Sequence, residues 1–254
     1  LNPWILGHRG ASRHAPENTL EALFLAGARG ADGVEYDVQL SADGFPVVFH
    51  DTELARTTGA TGTVGGLSLS DLENLSAGAL QDRPCRIPRL DHVLSRVSGI
   101  HNLEVKLPDY PFENPYRHAL ALAILRGFSR SLRSGRIASA STITSFDLPS
   151  LDLVCRLDPT VRFGPIVEDE SGWEALRTWN PPRPPAVLSL AADLVPRLLG
   201  NGSARPRSVR ESRLWLWHVP EAEPRRTLPW RPEALIVNDP AGVRERLGSG
   251  RRST

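Results

Sequence analysis

Gly33-Val34-Glu35-Tyr36-Asp37-Val38-Gln39 sets acidic residues alternately with apolar ones. In a β-strand, residues two apart share a face. Glu35 and Asp37 therefore point together, and Val34, Tyr36 and Val38 point the other way. A second stretch, His101 to Leu107, repeats the pattern, with Glu104 and Lys106 on one face and Leu103, Val105 and Leu107 on the other. An ordinary half-buried strand turns its polar face to water. Two strands with charge on one face and a continuous apolar layer on the other suit a barrel whose outside is covered by helices and whose polar end faces a site.

Working outward, strand and helix signals alternate along the whole chain, the pattern of a parallel α/β fold. Trp4 to His8 reads as the first strand, and a helix starts at Asn18 or Thr19 and closes near Gly30. Ala42-Asp43-Gly44 is a tight-turn signal, after which Phe45 to His50 returns extended as a short hairpin. Leu90 to Val97 and Tyr116 to Leu132 read as helices. Further strands are expected at Ala138 to Thr144, Val161 to Val167, Ala186 to Leu190, Leu214 to Val219 and Ala234 to Val237. Eight β/α units closing on themselves predict a TIM (β/α)8 barrel over residues 1–247, with its site at the C-terminal strand ends. A short insertion, Thr52 to about Ile87, is expected as a lid or side wall after the second strand. Gly200 to Arg213 reads as a mobile loop, and Gly248 to Thr254 as a disordered tail.

Composition narrows the possible functions. The length of 254 residues and hydrophobic content of 40% allow one large domain with a sizeable core. A formal net charge of +1 gives no reason to expect a nucleic-acid partner, and no apolar run approaches the roughly 18 residues of a membrane span. Cys85 and Cys155 form neither a disulfide framework nor a metal pattern. The sequence contains no Met. A cytoplasmic protein is the expectation, with an earlier signal peptide left open. Of 30 Lys+Arg residues only Lys106 is lysine, which suggests that its position needs a compact ammonium and not a planar fork.

The polar clusters at strand ends carry the chemistry. Glu35, Asp37 and Glu104 converge on one barrel mouth, where unpaired carboxylates repel. A divalent cation resolves that repulsion, and an all-oxygen donor set suits Mg²⁺ or Ca²⁺; the alternative is an ion network with Arg9 and Lys106. His8 and His50 each close an apolar run, and imidazole serves as acid or base near neutral pH. The other five histidines, His14, His92, His101, His118 and His218, read as structural or surface groups. Arg9 and Lys106 suit a phosphate. Glu17 and Asn18 sit where a helix begins, so each reads equally as a cap or as a brace behind the site. Asp51 and Asp239 read as structural.

These residues lie in an ordered set of motifs: His8-Arg9-Gly10, Pro16-Glu17-Asn18-Thr19, Glu35-Tyr36-Asp37, Pro46-Val47-Val48-Phe49-His50-Asp51 and Glu104-Val105-Lys106. Weaker similarities follow at Ser145-Phe146-Asp147, Trp217-His218-Val219 and Asn238-Asp239-Pro240. The set resembles the signature of the glycerophosphodiester phosphodiesterases. That resemblance implies a metal-dependent enzyme that hydrolyses a small glycerophosphodiester to glycerol 3-phosphate and an alcohol. It makes His8 and His50 the catalytic pair, Glu35, Asp37 and Glu104 the metal ligands, Arg9 and Lys106 the phosphate-binding residues, and Trp217 a wall of the glycerol pocket. It also implies that a glycerol hydroxyl of the substrate attacks phosphorus first, giving a cyclic phosphate that water opens. Trp217-His218-Val219-Pro220 departs from the family's W-T-V-N, which bears on the glycerol and leaving-group contacts. Two other readings stand beside this one. A lysophospholipase D-like enzyme would need an acyl groove, for which Leu54, Val64, Leu67 and Leu69 are the candidates. A barrel that has lost catalysis would serve as a binding module. Oligomeric state is not legible.

Overall fold

Strand β1 (Trp4–Gly7) pairs with β2 (Gly33–Leu40) on one side and with the last strand of the chain on the other, and this closes the sheet. The computed structural model describes residues 2–109, 114–200 and 204–248. The antiparallel β3 (Pro46–Val48) lies beside β2, outside the ring. Strands β4 (Ser76–Leu80) and β5 (Arg83–Arg86) form a separate hairpin in the insertion. The ring continues through β6 (Ile100–Val105), β7 (Thr142–Ser145), β8 (Arg162–Val167), β9 (Val187–Ala191), β10 (Arg213–Trp217) and β11 (Ala234–Val237). These six with β1 and β2 make eight parallel strands, the closed TIM barrel expected from the sequence.

The helices are α1 (Leu20–Ala28), α2 (Ala55–Thr58), α3 (Leu69–Asn74), α4 (Leu90–Arg96), α5 (Asn114–Arg133), α6 (Leu148–Leu157), α7 (Glu170–Thr178), α8 (Val195–Leu199) and α9 (Pro240–Leu247). They cover the outside of the ring, except that α2 and α3 belong to the insertion. Several start on a side-chain cap that satisfies an orphan backbone N–H. Thr19 caps α1, Asp147 caps α6, Asp169 caps α7 and Asp239 caps α9.

The alternation in β2 and β6 is realised as read. Val34, Tyr36, Val38, Leu103 and Val105 are buried against Leu94, Ile124 and Phe128 of the helical layer. Inside the ring, the lower half is plugged by Leu6, Ile100, Val187, Trp215, Ala234 and Ile236. Gly33 starts the inward face of β2, and a Cβ there would lie 2.0 Å from the Ile100 carbonyl oxygen. Only glycine lets β2 and β6 keep this register, in which Glu35 lies opposite Asn102 and Asp37 opposite Glu104. Register thus places two carboxylates side by side. His101, buried below, meets the Tyr36 hydroxyl at 3.0 Å through Nδ1 and the Val97 carbonyl at 3.2 Å through Nε2, a structural histidine.

Three expectations need correction. First, Leu54, Val64 and Leu69 do not line an acyl groove. They are buried with Val47, Phe49, Leu72, Ala77 and Ile87 in a small core of the insertion, and Leu67 packs against it. Each aliphatic side chain so covered contributes about 1.5–3 kcal/mol, which explains why the segment folds onto the barrel side. Second, Gly200–Arg213 is not loop throughout: residues 201–203 lie outside the described residues, and the rest is anchored. A 3-10 turn at Arg207–Val209 buries Val209, and the Ser208 hydroxyl donates to the Leu176 carbonyl at 2.6 Å. Third, Ala138 and Ala140 do not belong to a strand. They pack against the inner plug, and β7 begins only at Thr142. Residues 249–254 of the expected tail lie outside the described residues. Among the described residues, no helix is long and apolar enough to cross a membrane.

Candidate active site

The C-terminal strand ends open into a cavity of about 730 Å³. His8, Arg9, Glu35, His50, Glu104, Lys106 and Trp217 all line it. Asp37 lies just beneath, almost fully buried between Asn18, Arg9 and Lys106.

One oxygen from each of Glu35, Asp37 and Glu104 falls within 4.8 Å of the others. All three residues are buried. Burial, and then the charge of Asp37, raise the carboxyls of Glu35 and Glu104 to about 8. Asp37 stays below the ordinary range: burial opposes this, but Lys106, His50 and Arg9 outweigh it, helped by a hydrogen bond from Asn18. The arrangement therefore holds Asp37 as a secure anion, while Glu35 and Glu104, even with Arg9 and Lys106 beside them, are too short of positive charge to ionise easily. Hard oxygen donors with surplus negative charge fit a divalent cation such as Mg²⁺ or Ca²⁺.

Around this cluster the loops are held in costly conformations. Arg9 has φ 53°, Asn18 φ 57° and His218 φ 50°, a region that residues with a Cβ seldom occupy. The turn after β1 explains the first. Gly10, at φ 87°, presses against α1 so closely that a Cβ would lie 2.4 Å from the Ala22 carbonyl carbon. This contact turns the Arg9 backbone N–H onto Glu35 Oε2 at 2.8 Å and sends its guanidinium to Glu17 Oε1 at 2.9 Å. Arg9 Nε is buried 3.4 Å from Asp37 Oδ2 yet donates no hydrogen bond. Lys106 Nζ lies 2.9 Å from Glu104 Oε1, 3.8 Å from Asp37 Oδ1 and 5.4 Å from the centre of the Phe146 ring. Burial works against the ammonium, but Glu104 and Asp37 hold its pKa above normal, so it remains charged.

Each candidate acid–base histidine is fixed through one ring nitrogen. His8 Nδ1 meets Asn238 Oδ1 at 2.8 Å, an oxygen that also accepts from the Ser12 hydroxyl. His50 Nδ1 meets Asp51 Oδ1 at 2.6 Å. Both Nδ1 atoms face acceptors and so carry the hydrogen, leaving Nε2 with its lone pair. Burial lowers the pKa of both imidazoles, which keeps them neutral near pH 7. The Nε2 of His8 is 3.9 Å from Glu35 Oε2.

The candidate acid–base, phosphate, metal and glycerol-pocket residues, with Glu17 and Asn18, come to this one site. Glu17 and Asn18 brace it, as one of their two readings had it: Asn18 Nδ2 donates to Asp37 Oδ2 at 2.8 Å, and Glu17 ties Arg9 to Arg56. Thr19, not Asn18, is the helix cap. Asp51 proves more than a structural carboxylate, because it orients His50. Asp239 is structural, capping α9 and meeting His14 and Arg29. His218, read as bland, lines the cavity beside Trp217, with ring centres 4.1 Å apart.

Gln39, Asn102 and Arg56 carry no reading from the sequence, and Phe146 carries only its place in the Ser145-Phe146-Asp147 motif. Gln39 follows Asp37 on the inward face, and its amide reaches the carbonyls of Phe49, His50 and Asp51 at 2.8–3.0 Å. The strand alternation that selected Glu35 and Asp37 selects Gln39 too. Asn238 stands in a motif with Asp239 and Pro240, but nothing local tells that it meets a histidine 230 positions away.

A parallel eight-stranded barrel with this acidic cluster and two oriented imidazoles defines a class of metal-suited hydrolase sites. Comparison with known proteins gives the family. The chain belongs to the glycerophosphoryl diester phosphodiesterase family, whose sequence model matches residues 8–189. A Mycobacterium tuberculosis protein named probable glycerophosphodiester phosphodiesterase 1 is 31% identical over 238 residues, covering 87% of this chain and 84% of that protein. A Bacillus subtilis relative is 42% identical over 113 residues, 42% of this chain and less than half (46%) of its own length. Among solved structures, an Oleispira antarctica phosphodiesterase in complex with the product sn-glycerol-3-phosphate aligns with TM-score 0.75 and 26% identity over 97% of both chains. A Silicibacter pomeroyi structure, at 21% identity, shares the fold with TM-score 0.80, covering 98% of this chain and 95% of its own.

Proposed function

We propose that the protein hydrolyses small glycerophosphodiesters to glycerol 3-phosphate and an alcohol, using a divalent cation and the two histidines. The observation that carries this reading is the convergence of three buried carboxylates with two neutral imidazoles that are each locked through Nδ1. Glu35, Asp37 and Glu104 would hold the cation. When bound, the cation supplies Lewis-acid stabilisation of charge on phosphoryl oxygens. Arg9 and Lys106 neutralise the non-bridging oxygens.

A glycerol hydroxyl of the substrate is the first nucleophile in this reading. Its oxygen bonds to phosphorus as the bond to the alcohol breaks. One imidazole takes the hydroxyl proton through Nε2; the other enters the step as the imidazolium, having taken a proton from solvent at Nε2, and gives that proton to the departing alkoxide. The roles reverse when water opens the cyclic phosphate, and both histidines return to their starting state. The anionic Asp51 stabilises an imidazolium at His50 more than the neutral amide of Asn238 does at His8.

The lysolipid reading loses its candidate groove, because Leu54, Val64 and Leu69 are packed in the insertion core. A release assay over glycerophosphodiesters and lysolipids, with chelator or with added Mg²⁺ or Ca²⁺, tests the proposal. Metal-dependent release of glycerol 3-phosphate from the glycerophosphodiesters supports it. Turnover confined to lysolipids, or full turnover without metal, overturns it.

A further inference from the structure

We propose that Arg56, from the insertion, is a positioning residue for acid–base chemistry at His50, acting by fixing the plane of the Asp51 carboxylate. This rests on the reading of His50 given above.

Arg56 places Nε 2.5 Å from Asp51 Oδ2 and Nη2 2.9 Å from Asp51 Oδ1. The other edge of the same guanidinium reaches Glu17, with Nη1 3.0 Å from Oε2 and Nη2 2.6 Å from Oε1. Glu17 Oε1 also accepts from Arg9, and Asp51 Oδ1 meets His50. A continuous run, His50–Asp51–Arg56–Glu17–Arg9, thus links the loop bearing the candidate acid–base group to the loop bearing the candidate phosphate clamp. A carboxylate held only by one imidazole is free to rotate about its Cβ–Cγ bond. A guanidinium fork engages both of its oxygens and fixes the plane, and with it the imidazole, while an ammonium offers no such fork.

The anchor is local. Arg56 lies on the one-turn helix α2, preceded by the fully buried Leu54 and closed by Gly59 at φ 71°. Its side chain is 49% exposed. Pairs so exposed add little to folding stability, so alignment of His50, and not the fold, is what Arg56 controls.

The test measures kcat, KM and thermal midpoint on a glycerophosphodiester for Arg56→Gln, Arg56→Lys, Asp51→Asn and the Arg56→Gln/Asp51→Asn pair. Arg56→Gln should lower kcat by on the order of 10–10², the scale of a small misalignment, with KM and the midpoint nearly unchanged. Arg56→Lys should recover only part of the loss. The double variant should be no worse than Asp51→Asn, because both changes act on one imidazole. Losses that multiply, full recovery with lysine, or a loss that follows a falling midpoint would overturn the proposal.

A second readout needs no turnover. The His50 Nδ1–H proton, assigned by its absence in His50→Ala, should be visible by NMR in the unaltered protein and broadened or lost in Arg56→Gln. An unchanged signal would overturn the positioning role. If the unaltered protein were inactive on every substrate but this signal still depended on Arg56, the proposed reaction would fail and the positioning contact would stand.

Discussion

Strands β1, β2 and β6 and the later strands β7 to β11 face the same cavity with different materials. The first three and the loops between them bring His8, Arg9, Glu35, His50, Asn102, Glu104 and Lys106; the later ones bring Ser145, Phe146, Ile166, Ser189, Trp217, His218 and Ile236, with Asp147 and Glu168 at the rim. Asp147 is already neutralised by Arg117, at 2.8 Å and 3.1 Å. Charge that could act on a phosphate is therefore gathered on three adjacent strands, and the rest of the ring supplies shape. The two halves meet through Asn238, which follows β11 and meets His8, the residue after β1. A cyclic sheet makes the last strand a neighbour of the first, so chemistry concentrated early in the chain is still braced from its end.

The division would break most decisively if turnover survived loss of the cation. Exhaustive chelation is expected to abolish activity, and Mg²⁺ or Ca²⁺ to restore it, as followed by product release and elemental analysis. Next in size, His8→Ala and His50→Ala should each lower kcat by on the order of 10²–10⁴. Circular dichroism should be unchanged in both, since both side chains lie above the packed layers. A variant as active as the parent would return that histidine to the structural group. Lys106→Arg should cost about 10²–10³ in kcat, the usual worth of one charge-stabilising donor. A longer planar cation does not fit between Glu104, Asp37 and the Phe146 ring; kinetics retaining most of kcat/KM would show that the lone lysine is a compositional accident.

The shape half gives smaller effects. Trp217→Ala should raise KM about tenfold, equivalent to about 1.4 kcal/mol of binding, with kcat little altered. A loss confined to kcat would move Trp217 into the chemical half. Smallest is a stability effect with a definite sign. Glu35 and Glu104 are raised from 4.5 to about 8 in the metal-free fold. The folded state then binds more protons than the unfolded one, so metal-free stability falls as pH rises through that window. The gain in thermal midpoint on adding Mg²⁺ or Ca²⁺ should therefore grow from pH 5 to pH 8. A gain that shrinks with pH would place the cation elsewhere.

The same division explains what could be read in the sequence. Glu35, Asp37, Glu104 and Lys106 were legible because a two-residue period on a strand is local information. His8 and His50 were legible because each ends an apolar run. The closed ring was legible from the alternation of elements. Asn238 and Arg56 were not, because their roles depend on loops meeting across the mouth and on guanidinium geometry. Ala138 and Ala140 misled because a run of small residues tucked beneath a barrel has the same composition as a buried strand. The leucines of the insertion misled because an apolar side chain looks the same whether it lines a groove or fills a core.

The apolar plug of Leu6, Ile100, Val187, Trp215, Ala234 and Ile236 makes the barrel a blind well. Whatever enters at the rim leaves by the same opening, past the charged groups near the floor. A molecule with one end seated at the carboxylates keeps its other end directed outward. The floor therefore measures one end of a guest, while the bulk of the other end is limited only by the rim residues.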